Sequence, residues 1–388
     1  MQPGDNDPFE IEAMTALRRD LHAHPELGFE EVRTSGIVAQ WLEEAGIEVT
    51  RGLGRTGVVG TLRVGEGNRR IALRADMDAL AMPELAARDY MSKTPNTMHA
   101  CGHDGHTVML LAAARHLART RDFSGTVHFV FQPAEEGRGG AKAMIADGFF
   151  ERFPVDAVYG LHNMPGLAPD EMAVVAGPQL ASSDSWTVTF RGTGTHGAKP
   201  HLGRDAVTAA GQFLTMLHTI VARRVDPLQP AVVSACALEA GDFRALNVIP
   251  DTMRIGGTAR AYSGGVRDLL EAEIGTLARG VVASFGIEVD YAFERRIPPV
   301  VNDADAARRA LAAARAATER PVVTDFPPST AGDDFAEFGN RVPGAYVWLG
   351  NGPAVDGALH HNSRYDFNDA AILTGARFWR ALVEGELR

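Results

Sequence analysis

The sequence predicts an α/β protein: a mixed, mostly parallel sheet flanked by helices, carrying an inserted α+β domain of ferredoxin-like order. Three observations lead there. Short apolar runs such as Gly125 to Phe131 and Val155 to Leu161 alternate with helical spacings in the first part of the chain, the pattern of a sheet covered on both faces. From Ser185 to Arg295 the order becomes β-α-β-β-α-β, the split arrangement of a self-contained unit. Helix and strand then resume at Ala306 to Thr318 and Tyr346 to Gly350, returning the chain to the first sheet. These boundaries assign 1–183 and 297–388 to the main domain and 184–296 to the insertion.

Each element has a local reason. Ile11 to Leu21 has apolar residues at helical spacing, and a helix from Thr34 to Ala45 is stopped by Gly46, glycine being the common residue just past a helix end. Ile47 to Thr50, Val58 to Val64 and Arg70 to Asp76 read as strands, the last two joined by a turn at Gly65-Glu66-Gly67-Asn68. Thr107 to Leu117, rich in alanine and leucine, reads as a buried helix, and Gly125 to Phe131 as a strand covered on both faces. Ala141 to Asp147 is a helix closed by Gly148, and Val155 to Leu161 is a second buried strand. In the insertion, Ser185 to Arg191, Ala231 to Ala240, Thr252 to Tyr262 and Ile287 to Arg295 are strands. Arg204 to Arg224 reads there as one long helix and Val266 to Phe285 as another.

Bulk properties narrow the function. An apolar fraction of 45% and a charged fraction of 22% suit a well-packed protein of two domains. A formal net charge of −11 argues against a nucleic-acid partner, which needs a cationic surface. No apolar run is long enough to span a bilayer, and the polar first ten residues make no signal peptide. Two distant cysteines among 388 residues do not build a disulfide framework. The expectation is a cytoplasmic protein without membrane or nucleic-acid partners.

The chemistry-bearing residues gather in a few places. Met98-His99-Ala100-Cys101-Gly102-His103-Asp104-Gly105-His106 is the densest set of metal-capable side chains, with glycines that let ligating heads converge. Thiolate, imidazole and carboxylate together suit a divalent transition metal, although a clustered Cys/His loop can also be structural. Arg74-Ala75-Asp76-Met77-Asp78 puts two carboxylates on one face at a strand end. Asp78 there either orients a histidine ligand or caps a solvated turn. Gln132-Pro133-Ala134-Glu135-Glu136-Gly137 follows a buried strand. Adjacent residues on extended chain point opposite ways, so one glutamate can ligate a metal while the other addresses a water.

His162 stands just past a second buried strand, as a core residue or as a ligand at the sheet edge where such ligands gather. His360-His361-Asn362 supplies another candidate. In the insertion, His196 lies in a glycine-rich loop, and Asn247 and Arg260 add an amide and a guanidinium able to grip a carboxylate. For each of these three a plain surface role is the alternative. Gly52-Leu53-Gly54-Arg55-Thr56-Gly57 matches a dinucleotide pattern by letters, but a strand rather than a helix follows it. Cys236, inside an apolar strand, reads as a small buried hydrophobe.

Taken in order, these segments resemble the aminoacylase and carboxypeptidase superfamily of dinuclear metallohydrolases. They are most similar to its amidohydrolase branch of hippurate hydrolases, N-acyl-amino-acid amidohydrolases and indole-3-acetyl-amino-acid hydrolases. The similar stretches include Arg19 to Leu27, Leu73 to Leu80, Met98 to His106, Phe131 to Gly137, the His196 and Asn247 to Pro250 loops, and His361 through Asp369. The resemblance implies a zinc-peptidase-like catalytic domain with a lid or dimerisation domain inserted, in a homodimer or homotetramer. It implies two divalent ions per subunit, of zinc, manganese, cobalt or nickel. Cys101 would be shared between them, with His103 and His162 on one ion and Glu136 and His361 on the other. Glu135 would be the general base and later the acid, and Asp78 an orienting carboxylate. His196 would stabilise the oxyanion in a neighbouring subunit, while Asn247 and Arg260 hold the substrate. The family often has proline where Ser363 stands and an apolar residue where His360 stands; alignment on Tyr365-Asp366-Phe367 selects His361 over His360. The implied reaction is hydrolysis of an N-acyl-amino acid to a carboxylic acid and an amino acid. A dipeptidase, a carboxypeptidase or an N-acetyl-diaminopimelate deacetylase would use the same metal chemistry.

Overall fold

Helices α1 (Ile11–Ala23) and α2 (Val32–Glu44) open the computed structural model of the chain, which describes residues 8–354 and 357–388. Strands β1 (Glu48–Leu53) and β2 (Gly57–Val64) form an antiparallel hairpin. Its loop runs through left-handed backbone at Gly52, Gly54 and Arg55, so the Gly-x-Gly-x-x-Gly letters mark a turn. Next come β3 (Arg70–Asp76), α3 (His103–Thr120), β4 (Gly125–Gln132), α4 (Gly140–Ala146), β5 (Ala157–Met164) and the short β6 (Met172–Ala173).

The chain then builds a second unit from β7 (Ser183–Arg191), α5 (Ala206–Leu217), α6 (Thr219–Arg224), β8 (Ala231–Ala240), β9 (Thr252–Ala261), α7 (Gly264–Phe285) and β10 (Glu288–Ile297). It returns to the first unit with α8 (Ala304–Ala317), β11 (Gly344–Gly350) and α9 (Ala371–Glu386). The first unit holds the residues up to Gly177, Val301–Pro327 and Asp333–Arg388; the second holds Pro178–Val300 and Pro328–Gly332. The second is therefore wider than 184–296, because the strand-flanking segments pack with it.

The first unit is organised by a seven-stranded sheet in the order β1-β2-β4-β3-β5-β11-β6. Neighbours among β4, β3, β5 and β11 run parallel, and the antiparallel strands lie at the two sides. Every residue of β4 and of β11 is buried, which is why these strands read as unbroken apolar runs rather than as alternating ones. Parallel alignment sends the carboxyl ends of β3, β4, β5 and β11 to one edge of the sheet.

The second unit has a four-stranded antiparallel sheet in the order β8-β9-β7-β10. On β7, Trp186, Val188 and Phe190 alternate inward and join Phe213 and Leu217 of α5 and Leu270 and Ile274 of α7 in one core. A two-residue ladder pairs Val248 with His196 and Ile249 with Thr195.

Two sequence expectations need correction. The single helix over 204–224 is two helices that meet at His218. There the hydroxyls of Thr215 and Thr219 donate back to the carbonyls of Gly211 and Met216, a competition that bends helices. Cys236 is exposed rather than buried, because β8 is an edge strand whose second half lies open. No helix among the described residues is long and apolar enough to cross a membrane.

Helix α3 is pressed against the return segment at Gly105, where an added Cβ would stand 2.3 Å from the ring of Phe367. At an open helix position, glycine to alanine stabilises by about 1 kcal/mol. At Gly105 the sign should reverse: Gly105→Ala is expected to destabilise by about 1–3 kcal/mol through overpacking. Urea unfolding checks this, and a raised midpoint would show that the contact yields freely.

Candidate metal centre

The carboxyl edge of the parallel strands is where the site forms, as is general for such sheets. Asp76 ends β3, Gln132 ends β4 just before Glu135 and Glu136, and His162 lies near the end of β5. Cys101 and His103 come from the start of α3, which Gly102 precedes with a left-handed φ of 92°. Any other residue at Gly102 would collide with the Asn163 amide, 2.3 Å from an added Cβ. His361 arrives from the C-terminal segment, held by its own N–H on the Ala100 carbonyl at 2.8 Å.

The structure brings seven of the sequence-selected residues together. Cys101 Sγ is 3.5 Å from His162 Nε2. His103 Nε2 is 4.0 Å from Glu136 Oε1, and His361 Nε2 is 3.3 Å from that same oxygen. Cys101, Glu136 and His361 each offer a ligand atom within 4.8 Å of the others, as do His103, Glu135 and Glu136. Asp78 accepts from the amides of Glu135 and Glu136, one carboxylate oxygen to each, at 3.0 Å.

The histidine rings are aimed by hydrogen bonds. His103 Nδ1 donates to the Asp78 carbonyl at 2.9 Å, and His162 Nδ1 to the Asn163 carbonyl at 2.7 Å. A carbonyl only accepts, so each Nδ1 carries a proton and each Nε2 is turned to the Cys101 side. His106 also approaches Asp76, His103 and His162, but both its nitrogens are engaged. Nδ1 meets Asp76 Oδ1 at 2.6 Å, and Nε2 accepts from the Asn163 backbone and side-chain N–H groups at 3.0 Å. His360 bonds Asn163 Oδ1 at 2.9 Å, so the two adjacent histidines divide: His361 meets Glu136 and His360 meets Asn163.

The donor set fits a pair of divalent transition metals. Among the described residues, His103 Nε2 and Glu136 Oε1 are buried and meet no hydrogen-bond partner, a costly state unless another species satisfies them. Burial and then Glu136 push the Cys101 thiol up. Burial opposes a charge on His103, yet Asp76 and Asp78 hold it well above the ordinary imidazole range. Cys101 and Glu136 beside it raise His361 to about 10. Acidic groups that draw protons onto their histidine neighbours are the groups a bound cation would relieve, with release of those protons. Burial, and then His106 and His360, hold His162 well below its usual range, in the neutral form a ligand needs.

Glu135 has a different setting. Burial, then Asp333 and Glu136, push its carboxyl well above the ordinary range. Arg74 joins Asp76 Oδ2 at 2.6 Å and Asp333 Oδ1 at 2.9 Å. Asp334 accepts from Gln132 Nε2 at 2.7 Å. Asp333 and Asp334 were not singled out in the sequence, although their adjacency is the same signal that Glu135 and Glu136 gave. Asn163, which binds Cys101, His106, His360 and Tyr365 at once, left no sequence signal beyond standing after His162.

His196, Asn247 and Arg260 belong to the second unit. His196 Nδ1 accepts from the Ala198 amide at 3.0 Å, so its proton sits on Nε2. The Asn247 carbonyl accepts from the Gly197 N–H at 2.6 Å, which ties the two loops together. Arg260 donates through Nη1 to the Ala259 carbonyl at 2.9 Å and to Thr258; Nε and Nη2 have no protein acceptor among the described residues.

Residues 72–385 match the model of peptidase family M20/M25/M40. The chain is 41% identical over 368 residues to a hippurate hydrolase of Campylobacter jejuni, covering 95% of this chain and 94% of the relative. It is 34% identical over 369 residues to an N-acetylcysteine deacetylase of Bacillus subtilis, covering 95% of each. A crystal structure of the Bacillus subtilis YXEP protein, described as a dinuclear metal-binding peptidase of the M20 family, superposes with a TM-score of 0.85 at 32% identity. It covers 97% of this chain and 98% of that one.

If Cys101 bridges two ions, Cys101→Ala should lower metal content after dialysis against zinc, while the fold measured by circular dichroism persists. Full occupancy of the variant by elemental analysis would remove Cys101 from the ligand set.

Proposed function

The chain belongs to peptidase family M20/M25/M40, and from that premise we propose that it is a metal-dependent amidohydrolase that cleaves N-acyl-amino acids. The observation that carries this is the convergence of thiol, imidazole and carboxylate donors beside a second, separately buried glutamate. The relatives named for hippurate and N-acetylcysteine hydrolysis support the same substrate class. In this reading Cys101 is shared, His103 and His162 complete one site, and Glu136 and His361 the other. Bound divalent ions would polarise the scissile carbonyl and acidify water.

The protein's own groups then do the rest. Glu135, one peptide away from Glu136 and held beside acidic neighbours, takes a proton from the attacking water and returns it to the leaving amine. Asp78 keeps Glu135 and Glu136 in register and aims His103. His196, its proton fixed on Nε2, is a hydrogen-bond donor suited to a developing oxyanion. Arg260 and Asn247 supply the unpaired donors for the amino acid's carboxylate. Elements 184–296 would act as lid and dimerisation domain, so that His196 serves a neighbouring subunit in a homodimer or homotetramer. The open edge strand β8, with Leu238 57% exposed and Phe243 beyond it 96% exposed, supports association of that unit.

Glu135→Gln should keep metal and fold yet lose at least about a hundredfold in kcat on hippurate; near-normal turnover would remove Glu135 from proton transfer. His196→Ala should lose about a hundred- to a thousandfold. Mixing the two inactive variants after subunit exchange should restore hydrolysis that neither shows alone, and no recovery would place His196 in its own subunit's site. A panel of benzoyl- and acetyl-amino acids against dipeptides decides the substrate class. Preference for dipeptides would make the protein a peptidase on the same centre.

A further inference from the structure

Glu31 has no place in the reading given above, yet it is among the most completely enclosed acids in the first unit, at 0% exposure. It stands immediately before α2. Its Oε1 accepts from the Ala134 amide at 2.8 Å, and its Oε2 accepts from the Thr56 hydroxyl at 2.5 Å. It forms no ion pair with a lysine or arginine among the described residues, and burial pushes its carboxyl up. A buried acid without a cation is costly, and its polar contacts reveal what it is kept for.

Those contacts fall on the loop that carries the paired glutamates. Asp78 takes the amides of Glu135 and Glu136, and Glu31 takes the amide just before them. Three successive N–H groups thus end on two buried carboxylates from distant parts of the chain. Ala134 itself is left-handed, with φ of 53°, a conformation that a non-glycine residue holds only when its surroundings impose it. Gly28 presses on the same residue: an added Cβ there would lie 2.9 Å from Ala134 Cα. The segment that bears Gly28 and Glu31 is fastened beside Asp78, since the Ala79 amide donates to the Glu26 carbonyl at 2.9 Å. Thr56, from the β1–β2 loop, closes the arrangement from the far side.

We propose that Glu31 is a positioning residue for the paired glutamates: with Asp78 it fixes the amides of Ala134, Glu135 and Glu136, and so sets where the two carboxylates stand. Glu31 touches neither substrate nor metal. It acts through the backbone, holding the strained Ala134 from which Glu135 and Glu136 take their directions. The inference rests on the assignment of Glu136 as ligand and Glu135 as proton carrier.

The test compares Glu31→Ala, Glu31→Gln and Thr56→Val with the wild type, by zinc stoichiometry and affinity, by kcat and KM on hippurate, and by thermal midpoint. Glutamine keeps an oxygen for the Ala134 amide and offers its NH2 to the Thr56 oxygen. Glu31→Ala is expected to bind its second zinc equivalent about 10–100-fold more weakly. Its kcat should fall about a hundredfold while KM moves little. Glu31→Gln should restore both zinc equivalents and most of kcat. Two tightly held zinc ions and wild-type kcat in Glu31→Ala overturn the proposal. So does a loss of kcat that merely follows the thermal midpoint in both Glu31 variants, for then Glu31 is structural only. Should Glu31→Ala fail to fold, Thr56→Val decides: a weakened second zinc site supports the proposal, and unchanged zinc binding overturns it. Zinc binding is read without substrate, so a wild type that holds two zinc ions but ignores hippurate would sink the substrate assignment and leave this inference standing.

Discussion

The site depends on one carboxylate more than on any other group. Asp78, 1% exposed, spends both oxygens on consecutive amides of the glutamate loop, while its own carbonyl fixes the tautomer of His103. A single residue beyond the end of β3 thus couples the loop after β4 to the first turn of α3. Remove that carboxylate and two buried amides lose their acceptors, each a loss of roughly 1–3 kcal/mol. Glu135 and Glu136 would also lose their common frame.

Behind this frame lies a dense set of buried charges whose balance explains its form. The Arg74 guanidinium is enclosed among Asp76, Asp333 and Asp334. A buried ion pair seldom adds net stability, but breaking one leaves an uncompensated charge and costs several kcal/mol. The acids are retained for what they impose: Asp76 orients His106, which with Asn163 holds the Cys101 segment, and Asp333 crowds Glu135. Orientation is obtained here at the expense of stability, a compromise common at functional sites.

Much of this was legible in the sequence, for identifiable reasons. Strands buried on both faces leave unbroken apolar runs, so β4 and β5 and the residues after them could be located. Glycines beside Cys101 and adjacent acids at 135 and 136 announce ligating chemistry by residue type alone. What escaped were partners whose role comes from long-range contact. Glu31 meets Ala134 across 103 positions of chain, and Arg74 meets Asp333 across 259; no local pattern encodes such meetings. Cys236 misled because an apolar run looks alike whether its strand is central or at an edge. His360 and His361 part at the backbone: His361 takes a left-handed φ of 61° and its ring stands 3.3 Å from Glu136, while His360 meets Asn163.

The start of α3 has one more effect. Its first residue, His103, follows Cys101 by two positions, so Cys101 stands just before the amino end of the helix. The aligned peptide dipoles place about half a positive charge there. That field favours sulfur in its anionic state and runs against the enclosure that disfavours it. The helix end thus offsets part of that enclosure, and a serine at this position would forgo the softer donor atom.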